Sequence, residues 1–186
     1  NLIASIKANK MGKTFIDESG NGYDAKYSSV MLTEKEPVTD YAYSIAVVGD
    51  TQIVNMYDVR NGTTVMSDLY KWIANNVESK KIVQVLGLGD ITESSSKPTV
   101  SNERQKEWAN AKAAISQLDG KVGYSLVRGN HDVIADFESN FGSYDAYTSQ
   151  FEGFYDNSIL NSYKLFTAGG EDYLLLYARC ELNRSS

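Results

Sequence analysis

Ile82-Val-Gln-Val-Leu-Gly-Leu88 is an apolar, branched run that stops at Gly89-Asp90-Ile91-Thr92-Glu93. A short run of that composition, ended by a glycine and a carboxylate, reads as a buried strand with a polar tip. The pattern occurs twice more. Tyr43-Ser-Ile-Ala-Val-Val48 leads into Gly49-Asp50-Thr51-Gln52, and Val122-Gly-Tyr-Ser-Leu-Val127 leads into Arg128-Gly129-Asn130-His131-Asp132. Asp50, Asp90 and Asn130 are spaced forty residues apart. Val65, Leu69, Trp72, Ile73 and Val77 recur at helical spacing between the first two runs and predict a helix over 63–79. Before the third run, a polar loop from Thr92 to Thr99 containing Pro98 gives way to a second apolar face: Trp108, Ala111, Ile115 and Leu118. Gly120 stands just past its end as a stop signal. Trp72 and Trp108 are expected in the core.

One crossover helix between successive strands favours parallel pairing in one sheet. Nearly continuous apolar strands predict that both sheet faces are covered. Tyr163–Thr167 and Tyr173–Tyr177 read as two further strands, joined by the turn Ala168-Gly-Gly-Glu171. The expected class is therefore α/β, a β-α-β-α-β core with a largely parallel sheet plus two strands. Ligands bind beyond the carboxyl ends of such strands. The three polar tips should thus converge, and their Asp and Asn oxygens suit divalent cations. Each carboxylate alone could merely cap the turn or helix that follows it. The ordered set of three tips is what points to a site.

The 186 residues carry a net charge of −6 and are 42% hydrophobic, as expected of a globular domain. An acidic balance argues against nucleic acid as a specific partner and against anionic membrane surfaces, both of which need basic surface. No run approaches the roughly 18 apolar residues of a membrane span. Cys180 is the only cysteine, which excludes an internal disulfide framework and a cysteine-rich zinc site. No glycine-rich nucleotide-binding motif follows a strand. Thirteen tyrosines among many Ser, Thr and Asn residues suggest an extracellular or cell-surface bacterial protein. Residues 1–40 differ in character and read as a leader or a fragment of a preceding module, with the domain proper at 41–186. Within them, Asp17-Glu-Ser-Gly-Asn-Gly-Tyr-Asp24 resembles a loop of laminin-G-like sugar-binding modules over eight residues, although an exposed turn accounts for it as well. Thr33 to Asp40 reads as a polar connector, and Arg179 to Ser186 as an unpatterned tail.

Taken together, Gly49-Asp50, Gly89-Asp90 and Gly129-Asn130-His131-Asp132 resemble the signature of the calcineurin-like metallophosphoesterases over about residues 41–178. The resemblance implies a two-metal phosphoester hydrolase acting on a phosphoester substrate, with two divalent ions (Mn, Fe or Zn) as cofactors. It implies that Asp50 ligates one metal, Asp90 bridges both and Asn130 ligates the second. It makes His131 the group that contacts the phosphate and protonates the leaving oxygen, with Asp132 orienting that ring. Gln52 stands where the family usually has a histidine ligand, and Glu93 where it has a second aspartate of supporting role. His131 is the only histidine of the sequence, whereas the family draws further imidazole ligands from later loops. The expectation is thus an incomplete metal set in a domain shortened at its C-terminal side, with an exposed sheet edge able to pair two copies. The alternative is a non-catalytic surface or binding module on the same scaffold.

Overall fold

The computed structural model describes residues 40–95 and 101–178, together with the backbone of three short strands before them. The laminin-G-like loop after Asp17, the connector from Thr33, the end of the Thr92–Thr99 loop with Pro98, and the tail from Arg179 lie outside the described residues. The chain divides into two compact units, Asn1–Asp40 and Tyr41–Ser186. In the first, β1 (Ile6–Ala8), β2 (Thr14–Asp17) and β3 (Ala25–Lys26) form an antiparallel meander, with Lys7 opposite Ile16 and Phe15 opposite Ala25.

The second unit is built on the three apolar runs. They form β4 (Ser44–Val48), β5 (Ile82–Gly87) and β6 (Gly123–Leu126), parallel and in that order, with β5 central. Val85 pairs with Ala46 and Tyr124, and Gly87 with Val48 and Leu126, so these six residues share one face. That face carries the core. Val85, Tyr124 and Leu126 cluster there with Met66, Tyr70, Ile73, Trp108, Ile115, Leu118, Phe137 and Phe141.

Two helices, not one, fill the first crossover: α1 (Gln52–Asn61) and α2 (Val65–Asn75). The expected helix over 63–79 is α2, ended before Val77. No apolar stripe marked α1 because its burial is inverted. Asn55 and Asp58 face inward, while Ile53, Val54 and Tyr57 are exposed. Polar ties hold it in place. Asn55 Nδ2 donates to the carbonyls of Ile91 (2.9 Å) and Glu107 (3.0 Å), and the Asp58 carboxylate accepts the backbone N–H groups of Val65 (3.0 Å) and Met66 (2.7 Å). Asp58 thereby satisfies amides at the start of α2, the task of a capping residue supplied from the preceding helix. Asp58→Ala should lower stability by about 2 kcal/mol, the upper end of cap losses, because two amides lose their acceptor and that of Met66 is buried. A urea-unfolding midpoint measures this, and an unchanged midpoint would show that Val65 and Met66 find other acceptors.

The second crossover is α3 (Ser101–Ile115), continued by a 3₁₀ turn over Ser116–Leu118. After β6 come α4 (Ile134–Phe141) and the short α5 (Asp145–Thr148), whose Phe137, Phe141 and Tyr147 complete an aromatic cluster around Trp108 and Tyr124. Trp108 is 3% exposed as expected, but Trp72 is 51% exposed. Met66, Tyr70, Ile73 and Ala74 define the inward face of α2, and Trp72 lies off it.

β7 (Gly153–Phe154), β8 (Ser162–Ala168) and β9 (Glu171–Tyr177) form a separate antiparallel sheet, so the two further strands do not extend the parallel one. Tyr177 of β9 bonds Ser125 of β6, and Tyr173 bonds Tyr43, through their hydroxyls. Ser125 is in register with Leu86, and Leu86 with Val47, on the face away from the helices. Coverage of that second face is partial, contrary to expectation: Val47 remains 60% exposed. Among the described residues no helix is long and apolar enough to cross a membrane.

Candidate active site at the strand tips

Each parallel strand ends in a turn that only certain residues can make. Asp50 and Asp90 have the same left-handed backbone, both at φ 48°. Aspartate is among the few non-glycine residues that visit this region readily, and such departures cluster at functional positions. The turns after β5 and β6 approach closely. A Cβ on Gly89, whose φ is +92°, would lie 2.5 Å from Gly129 N, and one on Gly129 would lie 2.1 Å from Asp90 Oδ1. Neither glycine can carry a side chain without parting the two loops.

Hydrogen bonds draw the three tips together around Asp90. Its carbonyl accepts the N–H of Gln52 at 2.8 Å, and its Oδ1 accepts the N–H of His131 at 2.9 Å. Asp50 and Asn130 stand at the same strand ends with exposed side chains. The structure thus places all the residues expected at the site (Asp50, Gln52, Asp90, Asn130, His131 and Asp132) beyond the carboxyl ends of neighbouring parallel strands.

Two of them differ in what they touch. Asp132 does not orient His131. Its carboxylate is fully buried and accepts four donors: the N–H groups of Ile91 (2.9 and 3.1 Å), Thr92 (2.9 Å) and Gly129 (3.0 Å), and the Thr92 hydroxyl (3.1 Å). It clamps the β5 tip to the β6 tip. Burial pushes its carboxyl above the usual aspartate range, against the pull of these donors. The carboxylate beside the ring is Glu93, whose Oε2 lies 3.0 Å from His131 Nδ1. That is ion-pair distance, but the ring N–H is not aligned for a hydrogen bond, and Nδ1 has no hydrogen-bond partner. Glu93 is therefore the carboxylate that stands beside the ring, and Asp132 the one that holds the loop backbones.

Glu107, which the sequence pattern does not single out, supports this arrangement. It is fully buried on α3, and its Oε2 accepts the N–H groups of Glu93 (2.8 Å) and Ser94 (2.9 Å). Only its spacing could have hinted at this role: it is an acidic residue directly before Trp108 on a face otherwise apolar. Glu107→Ala would leave both amides without their acceptor and should cost about 2–4 kcal/mol. Thermal melts of Glu107→Ala and Glu107→Gln would test this; equal melting temperatures for the two and for the unsubstituted chain would refute it.

Parallel strands, αL aspartates at two tips and an Asn-His-Asp turn at the third define a strand-end polar site of an α/β protein. A family model described as calcineurin-like phosphoesterase matches residues 43–183, and the chain belongs to that family. No curated protein and no solved structure matches it.

Membership implies divalent metal, and the residues fit that implication in part. Gln52 Oε1 is sealed from solvent and takes no hydrogen bond, which costs free energy unless a donor or cation meets it. Among the described residues, however, no three His, Cys, Asp or Glu side chains gather closely enough to hold an ion. The available donors are two carboxylates, Asp50 and Asp90, and two amide oxygens, from Gln52 and Asn130. That set fits a hard, oxygen-ligated cation. It lacks the imidazoles of a zinc or iron site.

Proposed function

We propose that the strand-tip site hydrolyses phosphoesters with the help of a divalent cation held by Asp50, Gln52, Asp90 and Asn130. The observation that supports this best is the pair of hydrogen bonds onto Asp90. They tie the backbones of Gln52 and His131 to Asp90 in a family-matched chain, which supports reading the three tips as one site. A bound divalent ion supplies Lewis-acid polarisation of the phosphoryl oxygen and lowers the pKa of attacking water. The residues provide the rest. Asp50 and Asp90 concentrate negative charge where a cation would sit. The Asp132 and Glu107 clamps hold the loops, so that little reorganisation accompanies reaction. His131, with Nδ1 beside Glu93, keeps Nε2 on the opposite side of the ring for the phosphoester. From Nε2 the ring can pass a proton to the leaving oxygen.

The second reading, a binding module without chemistry, draws on the same limited donor set. One assay separates the two. With manganese added, an aryl phosphate should turn over saturably, and stripping the protein with a chelator should return the rate to background. Turnover indifferent to the chelator would overturn the metal dependence, and no turnover in manganese or magnesium would favour the binding module.

A further inference from the structure

We infer that a second pocket, at the amino end of β6 and so at the opposite end of the parallel strands from the tips, binds a small oxyanion that carries its own hydroxyl. Lys164, Gln84 and the open backbone of Gly123 would hold it. Gln84 of β5 is in register with Gly123, the first residue of β6. It is fully buried and its amide is fixed, because Nε2 donates to Ser125 Oγ at 3.0 Å and to the Val85 carbonyl at 3.3 Å. The Oε1 atom of that amide accepts no hydrogen bond among the described residues. Lys164 of β8 reaches the same spot and is 8% exposed. A Cβ on Gly123 would lie 2.7 Å from both Gln84 Oε1 and Lys164 Nζ. The ammonium does not close on that oxygen. Its hydrogen bond, at 3.3 Å, goes to Gln150 Oε1, which already accepts the Tyr124 N–H. Burial holds the Lys164 amine below the ordinary lysine range, against the pull of Glu152, whose carboxylate is engaged by the Leu165 N–H. A buried acceptor without a donor and a buried cation short of acceptors thus face one gap, and each is unfavourable alone. A ligand that turns an anionic oxygen to Lys164 and an O–H to Gln84 satisfies both. Hydrogen phosphate and α-hydroxycarboxylates share that chemistry. Gly123 and Lys164 line a cleft of about 600 Å³, to which Lys121 adds a second positive charge and Ser149 a hydroxyl.

The test is a titration followed by amide NMR on the chelator-stripped chain, so that no cation at the strand tips recruits the anion. Inorganic phosphate and glycolate should shift the Gly123 and Lys164 amide signals and the Gln84 side-chain N–H₂ saturably. Sulfate and acetate resemble them in shape but carry no O–H. They should bind about tenfold or more weakly, because the buried Gln84 oxygen is then left without a donor. Gly123→Ala puts a methyl into the gap, and Lys164→Met keeps the stem without the charge. Each should weaken phosphate and glycolate about tenfold or more. Melting curves confirm that the variants are folded, and the comparison of matched anions on the unsubstituted chain needs no variant. Saturation by glycolate alone would support a hydroxycarboxylate ligand, and by phosphate alone a phosphoryl one. Sulfate and acetate binding as tightly as their partners would replace the site with a plain cationic patch. No saturable shift with phosphate or glycolate, shifts confined to the strand tips, or unchanged affinity in either folded variant would overturn the inference.

Discussion

Asp132→Ala is expected to be the most destabilising single change in the site, costing about 3–5 kcal/mol, a large part of the stability of an ordinary domain. Its carboxylate is the common acceptor for three backbone N–H groups and one hydroxyl, contributed by the β5 and β6 tips. Truncation leaves four donors facing a dry void, and each buried donor without a partner costs about 1–3 kcal/mol before relaxation. Relaxation is limited, because Gly89 and Gly129 already lie so close that a Cβ on either would collide with the other loop. Asp132→Asn should lose less, since one oxygen still accepts while the amide N–H₂ opposes an N–H. Urea unfolding of the two variants would check the order. A loss below about 1 kcal/mol for Asp132→Ala would show that the glycine contact and the Asp90–His131 bond alone hold the tips. Glu93→Ala makes the contrast. It removes the carboxylate beside His131 without touching this clamp, so it should reduce turnover with little change in the unfolding midpoint.

That contrast marks where sequence reading stops. The three strands and their tips were legible because a strand buried on the core side writes its apolar run directly into the chain, and a glycine–carboxylate ending is visible one position at a time. α1 was not legible. Asn55 and Asp58 hold it by hydrogen bonds to Ile91, Glu107, Val65 and Met66, and such polar ties to backbone outside the helix leave no periodic apolar trace. Helical spacing from Val65 and Leu69 puts Trp72 in the expected core, but the helix turns it past the edge of the buried stripe. The roles of Glu93 and Asp132 were exchanged for a related reason. Adjacency to His131 in the chain says nothing about which carboxylate reaches the ring. Successive residues in a turn point apart, and the loop ending in Glu93 folds back from another strand to meet it.

Asp90→Asn should reduce metal-dependent turnover to background while leaving the protein folded. Asparagine is one of the few residues that shares aspartate's tolerance for a left-handed backbone, so φ 48° at this tip is not an obstacle. Its Oδ1 can still accept the His131 N–H that now bonds to Asp90. The main-chain carbonyl that receives Gln52 N–H is untouched. What changes is one negative charge, at the point where all three tips meet. A cation surrounded by Asp50, Gln52 and Asn130 alone would have a single carboxylate to balance it, and hard cations depend on ligand charge for affinity. His131→Ala is the companion variant. General acid catalysis contributes about 10²–10⁴-fold where the leaving group needs a proton and little where it does not. An alkyl phosphate should therefore slow by that order in His131→Ala, while an activated aryl phosphate changes far less; Asp90→Asn should abolish both. The measurement is the rates of the unsubstituted chain and both variants on the two substrates, with manganese supplied, alongside a melting curve for each protein. If Asp90→Asn, folded and supplied with manganese, kept full turnover, a cation at the strand tips could not be what drives the reaction. If His131→Ala slowed both substrates equally, His131 would serve to bind the phosphoryl group, not to protonate the departing oxygen.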